Sequence, residues 1–286
     1  MHARSRTRAQ PIGGARMKRE KLNLYLLIDN GLLQATSARY AEIDSQSRPS
    51  WLALIYTERA LEVSPILIDL EAAYDGGDLD QVMGYVNALV PALHVSVIET
   101  QLSLAEIARH LRRFIFIFDP DGNQFTLRYA DCAILTPLST VLTDAQWSTL
   151  RGPIARWCAH DRSGHVIELR SVPVIERAMM PLELDSDQIA ALDEASEPDL
   201  YIAKVKMMRH GEELPGTTAE QHCWASKACQ AWRASKNPSH LYLLFLTEAA
   251  VLSRGKVLRR PEILAYLLTD DINTFKEKMR KISNNK

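Results

Sequence analysis

Leu24-Tyr-Leu-Leu-Ile28 is an unbroken apolar run that stops at Asp29-Asn30-Gly31, which is the length and ending of a buried strand followed by a turn. Pro65–Leu70 and His94–Ile98 read the same way. Between them Leu79, Val82, Met83, Val86 and Leu89 recur at helical spacing across Asp78–Leu93, after Gly76-Gly77. Ser103 with Glu106 forms a capping box that opens a helix reaching Arg113. Phe114–Phe118 and Gln124–Tyr129 flank Asp119-Pro-Asp-Gly-Asn123, so the pattern predicts a β-hairpin around a Pro-Asp-Gly turn. That turn lacks the further ligands and closing glutamate of a calcium loop. Thr143 with Gln146 makes a second capping box, leading into Trp147 and Leu150 and a stop at Gly152-Pro153. Val166–Leu169 predicts a last strand before Pro173 and Pro181 break the pattern.

From Asp185 the period changes. Ser186–Ala195, Thr217–Ala234, Ser239–Ser253 and Pro261–Leu268 are helix-like, each opened by Ser, Thr or Pro. Asp271–Ile282 is a basic amphipathic piece. The expected fold is therefore α+β or α/β: an N-terminal lobe over residues 22–180 with a mixed β-sheet flanked by helices, and an all-α lobe over 181–286. The boundary is expected near 172–185.

With 286 residues, 47% of them hydrophobic and 24% charged, the chain has the makings of a globular core and is not wholly disordered. The formal net charge of -1 supplies no global field that would draw nucleic acid. Residues 1–21 carry seven basic groups and one acid, and their lack of apolar periodicity predicts a disordered basic arm. Met17 is an alternative start. The arm lacks a signal peptide's apolar stretch, and no run of 18 apolar residues exists to span a membrane. Cys132, Cys158, Cys223 and Cys229 contain no C-x-x-C pair and read as small core residues of a reduced, cytoplasmic protein.

The common phosphate-binding loops, the nucleophile elbow and the zinc hydrolase and deaminase motifs are missing. Two weak metal sets remain: Cys158, His160 and His165, and His222, Cys223 and Cys229 on one helix, where neighbouring residues point apart. His110, Arg112 and Arg113 crowd the end of one helix, as dipole-complementing cations or as an anion site. Arg128 and Asp131 could form a buried ion pair. This inventory favours a binding protein over an enzyme and implies no cofactor. A metal-dependent hydrolase using Cys158, His160 and His165, or a nucleic-acid-associated protein using the basic arm, are the alternatives.

Several of these segments, in order, resemble a bacterial family of type VI secretion adaptors known as domain of unknown function 4123. Tyr25-Leu-Leu-Ile-Asp29 is similar to the family's opening "Y-x-L-[LIV]-D". Ser64-Pro-Ile-Leu-Ile68 resembles its "G-P-x-L-[IV]", and Leu104–Arg113 its "x-L-x-x-H-L-R-R" helix. Asp121-Gly122 with Leu127-Arg-Tyr-Ala-Asp131 resembles its "D-G-x…L-R-[FW]-[YF]-D-P-R" hairpin. Leu142–Gln146 with Gly152-Pro-Ile-x-x-Trp157 resembles a further segment, and Asp187–Glu194 the C-terminal helices, so the likeness runs over residues 22–285. Ser64 stands for the family's Gly, Ala130 for an aromatic, and Cys132-Ala133 for Pro-Arg. The resemblance implies a cytoplasmic, non-enzymatic chaperone that binds a toxic effector and loads it onto the VgrG spike, without nucleic acid or membrane as partner. Trp224, Trp232 and Tyr242 of the helical lobe are candidate effector anchors, and equally candidate members of its core.

Overall fold

The computed structural model describes residues 21–33, 48–56, 61–87, 92–173, 178–269 and 271–284. The basic arm, apart from Lys21, lies outside them; the Lys21 ammonium is 2.7 Å from Glu71.

Six strands form one sheet in the order β2-β3-β1-β4-β7-β8, every neighbouring pair antiparallel. They are β1 (Asn23–Ile28), β2 (Leu52–Leu54), β3 (Ile66–Asp69), β4 (Val95–Thr100), β7 (Ile154–His160) and β8 (Val166–Glu168). The unbroken apolar character of β1 follows from burial on both faces. Tyr25 and Leu27 enter a core with Trp147 and Trp157, whereas Ile28 joins Trp51, Val82 and Val95 on the opposite face.

Helices α1 (Leu70–Asp75) and α2 (Leu79–Asn87) supply Ala73 and Val82 to the second of these cores. The other face is covered by α3 (Leu104–Arg112), α4 (Cys132–Val141) and α5 (Asp144–Arg151). Both expected capping boxes start helices: Glu106 accepts the Ser103 N–H at 2.9 Å, and Gln146 accepts that of Thr143 at 2.9 Å. Trp157 donates to Ser96 Oγ at 3.1 Å and stacks on Trp147 with ring centroids 6.1 Å apart.

The expected hairpin forms, but in shorter strands and in a separate sheet. β5 (Phe116–Phe118) pairs antiparallel with β6 (Gln124–Thr126) and parallel with β9 (Leu182–Glu183), and this is where the mixed pairing lies. Phe114 and Ile115 belong to the turn after α3, with Phe114 fully buried. Residues 127–129 leave β6, the Tyr129 hydroxyl donating to the Leu111 carbonyl at 3.0 Å.

The chain then becomes helical: α6 (Ser186–Met208), α7 (Thr218–Ser235), α8 (His240–Leu252), α9 (Ile263–Leu267) and α10 (Ile272–Asn284). α6 continues well past Ala195, carrying Pro198 within it. Leu243, Leu246 and Ala250 of α8 are buried against Cys229 of α7 and Phe275 and Met279 of α10. No helix among the described residues is long and apolar enough to cross a membrane.

Candidate functional site

A groove of about 580 Å³ opens between the sheet-bearing part and the helices. One wall is the first turns of α4 (Ala133, Thr136, Pro137) with the β7–β8 loop at Asp161–Ser163; the other is α6 at Ala195 and Pro198 and α7 at His222 and Ser226. Asp131 builds the first wall by capping α4, its carboxylate accepting the Ala133 N–H at 2.9 Å. Burial raises that carboxyl above its ordinary 3.8, against the pull of the Ala133 N–H and Arg128. The loop is shaped by Asp161, which accepts the backbone N–H groups of Ser163 and His165 at 2.8 and 2.9 Å. Gln188 ties the start of α6 to the α/β layer through the Val141 carbonyl at 3.1 Å and Gln146 at 2.7 Å.

The charges around the groove are paired. Arg162 bonds Asp199 across the two walls at 2.5 Å, and Arg233 pairs with both Glu194 and Glu197. Small and apolar side chains therefore dominate, and no arginine of the groove stands free to hold an anion. Cys132 and Cys229 also line it, and burial pushes both thiols up to about 12, so neither supplies a thiolate near neutral pH.

His222 is a titratable group of the groove whose charged form is disfavoured by its surroundings. Burial, followed by the charge of Arg162, lowers its pKa below the ordinary 6.5, and its Nε2 is 4.0 Å from Asp199 with no hydrogen-bond partner among the described residues. The unfolded chain takes up a proton near pH 6.5 that the folded protein resists, so this group withdraws stability as pH falls below 6.5, until the folded-state value is passed. Urea unfolding at a series of pH values checks this: His222→Gln should flatten the acid-side slope, and an unchanged slope contradicts it.

The residues singled out in the sequence separate into three groups. His110, Arg112 and Arg113 do not converge on an anion site. His110 Nε2 meets the Leu150 carbonyl at 2.8 Å, Arg112 donates to the Ile55 and Leu54 carbonyls at 3.1 and 2.9 Å, and the Arg113 guanidinium lies 5.7 Å from the Phe114 ring centroid. His110 and Arg112 thus stitch α3 to neighbouring segments, while Arg113 packs over the ring of the adjoining residue. Arg128 does form an ion pair, but chiefly with Asp29, at 2.7 Å; Asp131 is 3.7 Å away, beyond hydrogen-bonding reach. Asp29 is almost wholly buried while Arg128 is half-exposed. Arg128→Ala should therefore destabilise by about 3 kcal/mol, the lower end for an orphaned buried charge. A loss under about 0.5 kcal/mol in denaturant unfolding, the scale of an ordinary surface substitution, contradicts that role.

The third group is corrected. Tyr242 is no exposed anchor: it is buried in the helical core, its hydroxyl donating to the Thr269 carbonyl. Trp232 is half-buried and donates to the Ser239 carbonyl at 3.1 Å. Trp224 is wedged between Gly216 and Gly255, where an added Cβ would come within 2.6 and 2.7 Å of its ring. All three serve packing, because aromatic side chains at these spacings face the neighbouring helices. The metal sets do not assemble either: among the described residues no group of three His, Cys, Asp or Glu side chains could hold an ion. Cys158 and His160 lie on β7 rather than in a loop, His160 Nδ1 meets the Val95 carbonyl at 2.7 Å, and His165 is exposed beside Asp161. The groove residues Thr136, Arg162, Pro198 and Ser226 were not singled out by sequence, since no local pattern marks residues that only tertiary packing unites.

Fold and groove together describe a layered α/β unit continued by a helical bundle, with one broad, charge-neutralised cleft suited to an uncharged ligand or a chain segment. Residues 24–149 match the family described as domain of unknown function (DUF4123), which is associated with type VI secretion. That span runs from β1 to the last turn of α5 and includes the α4 wall of the groove, while the likeness drawn for Gly152–Trp157 and Asp187–Glu194 lies outside it. No curated protein and no solved structure matches the chain.

Proposed function

We propose that the protein is a type VI secretion adaptor that holds a segment of a toxic effector in the groove and delivers it to the VgrG spike in the cytoplasm, without catalysis or cofactor. The observation that carries this reading is the groove itself, lined by Ala133, Pro137, Ala195 and Pro198 with Arg162 and Arg233 consumed in ion pairs. Such a lining suits an apolar stretch of polypeptide, as a helix or an extended segment laid between two walls, better than a phosphate or a carboxylate. The family association supplies the setting. Affinity capture of the tagged chain from its host, with the secretion system expressed and mass spectrometry of what copurifies, tests it. One large toxin-like protein, with or without a VgrG protein, is expected; recovery of neither overturns the proposal.

A further inference from the structure

The C-terminal corner of the helical bundle carries a surface of different chemistry from the groove. Residues 254–286 hold nine basic and four acidic side chains, whereas residues 22–253 hold 18 basic and 30 acidic. The basic residues lie on elements that touch: the 3-10 turn Val257–Arg259 packs against α10, and Lys278 of α10 sits with its ammonium 4.5 Å from the centroid of Tyr266 on α9. Lys256, Arg259, Arg260, Lys278 and Lys281 pair with no carboxylate among the described residues. Of the acids on these elements, Asp271 is engaged in capping α10, accepting the Asn273 and Thr274 N–H groups at 3.0 and 3.1 Å, and Glu262 and Glu277 stay exposed.

Amid these cations α9 and its C-cap show two leucines four residues apart, Leu264 and Leu268, 49% and 66% exposed. A pair of apolar side chains at i and i+4 flanked by unpaired cations is the complement of an amphipathic helix that bears leucine-like anchors on one stripe and acids beside it. The geometry points to this surface as a docking site for an acidic amphipathic segment of a partner protein, and it stands apart from whatever the groove binds. The acidic remainder of the body decides against the other polyanions. A nucleic acid, or the plane of an anionic membrane, would extend past the corner onto a surface of the same sign, whereas a short acidic helix stays within the cationic patch. Two leucines also offer little apolar area to insert into a bilayer.

Fluorescence anisotropy on the full chain tests this with a labelled Glu-rich peptide carrying leucines at i and i+4, alongside a DNA duplex and vesicles of phosphatidylserine and phosphatidylcholine. The peptide should bind in a salt-sensitive way. Arg259→Glu/Arg260→Glu should weaken it about tenfold or more. Leu264→Ser/Leu268→Ser should weaken it to a similar degree. All four residues are exposed, so an unchanged melting temperature verifies that the variants are folded. The inference is overturned if the peptide fails to bind, if the arginine variant binds it as well as the parent does, or if DNA or vesicles bind more tightly than the peptide.

Discussion

Gly152→Ala should lower the melting temperature by roughly 10 °C, equivalent to about 3–5 kcal/mol. Gly152 closes α5 with φ +47° and ψ −113°, a combination essentially reserved for glycine, and its N–H donates to the Ser148 carbonyl at 2.8 Å. A Cβ built there would lie 2.4 Å from His110 Cε1. The imidazole cannot simply swing away, because its Nε2 is held on the Leu150 carbonyl at 2.8 Å and its ring is packed edge-on to Phe114 at 5.1 Å. Backbone strain and a clash with a fixed ring thus add at one position. Gly122→Ala is the matched control: its φ is +79° but nothing lies within 4 Å of the added carbon, so strain of about 1 kcal/mol is all it should cost. Equal effects of the two substitutions in thermal unfolding would show that His110 yields freely.

Filling the groove should abolish client capture while leaving the fold in place. Ala195 stands on α6 facing the α4 wall across the groove and Ala219 on the first turn of α7. Ala195→Trp adds a side chain that would occupy the space proposed for the client segment, and loss of detectable copurification is the expected result. A half-buried site can be perturbed by so large a residue, so Ala219→Trp provides a second obstruction from the other helix. Capture at parental levels by both folded variants would place the client elsewhere.

How much of this was legible in the sequence depended on whether the signal was local. β1, β3 and β4 announce themselves because a strand buried on both faces needs an apolar run, and the helices opened by Ser103 and Thr143 announce themselves through cap chemistry that spans four residues. β7 was missed. Its Gly152-Pro153 lead-in reads as a terminator, and a register shift opposite Glu99 and Thr100 spoils the alternation that would mark Ile154–His160 as a strand. α4 was missed because Pro137 sits inside it among Thr and Ile. Arg128 was assigned Asp131, three residues away, yet its closer partner Asp29 lies 99 residues off in the chain, where spacing carries no information. The groove is hidden for the same reason: Thr136, Arg162, Pro198 and Ser226 are unremarkable until α4, the β7–β8 loop, α6 and α7 meet. Trp224, Trp232 and Tyr242 are ambiguous in sequence, because aromatic side chains on a helix satisfy a core as readily as a partner.

The most direct test of the central claim is photocrosslinking from inside the groove while a client is bound in the host. A benzophenone amino acid at Ser226, which lines the groove, is compared with one at Lys227, its exposed neighbour outside the lining. A covalent adduct with the copurifying toxin is expected from position 226 and little or none from 227. An adduct from 227 alone, or from neither position while the toxin still copurifies, contradicts it.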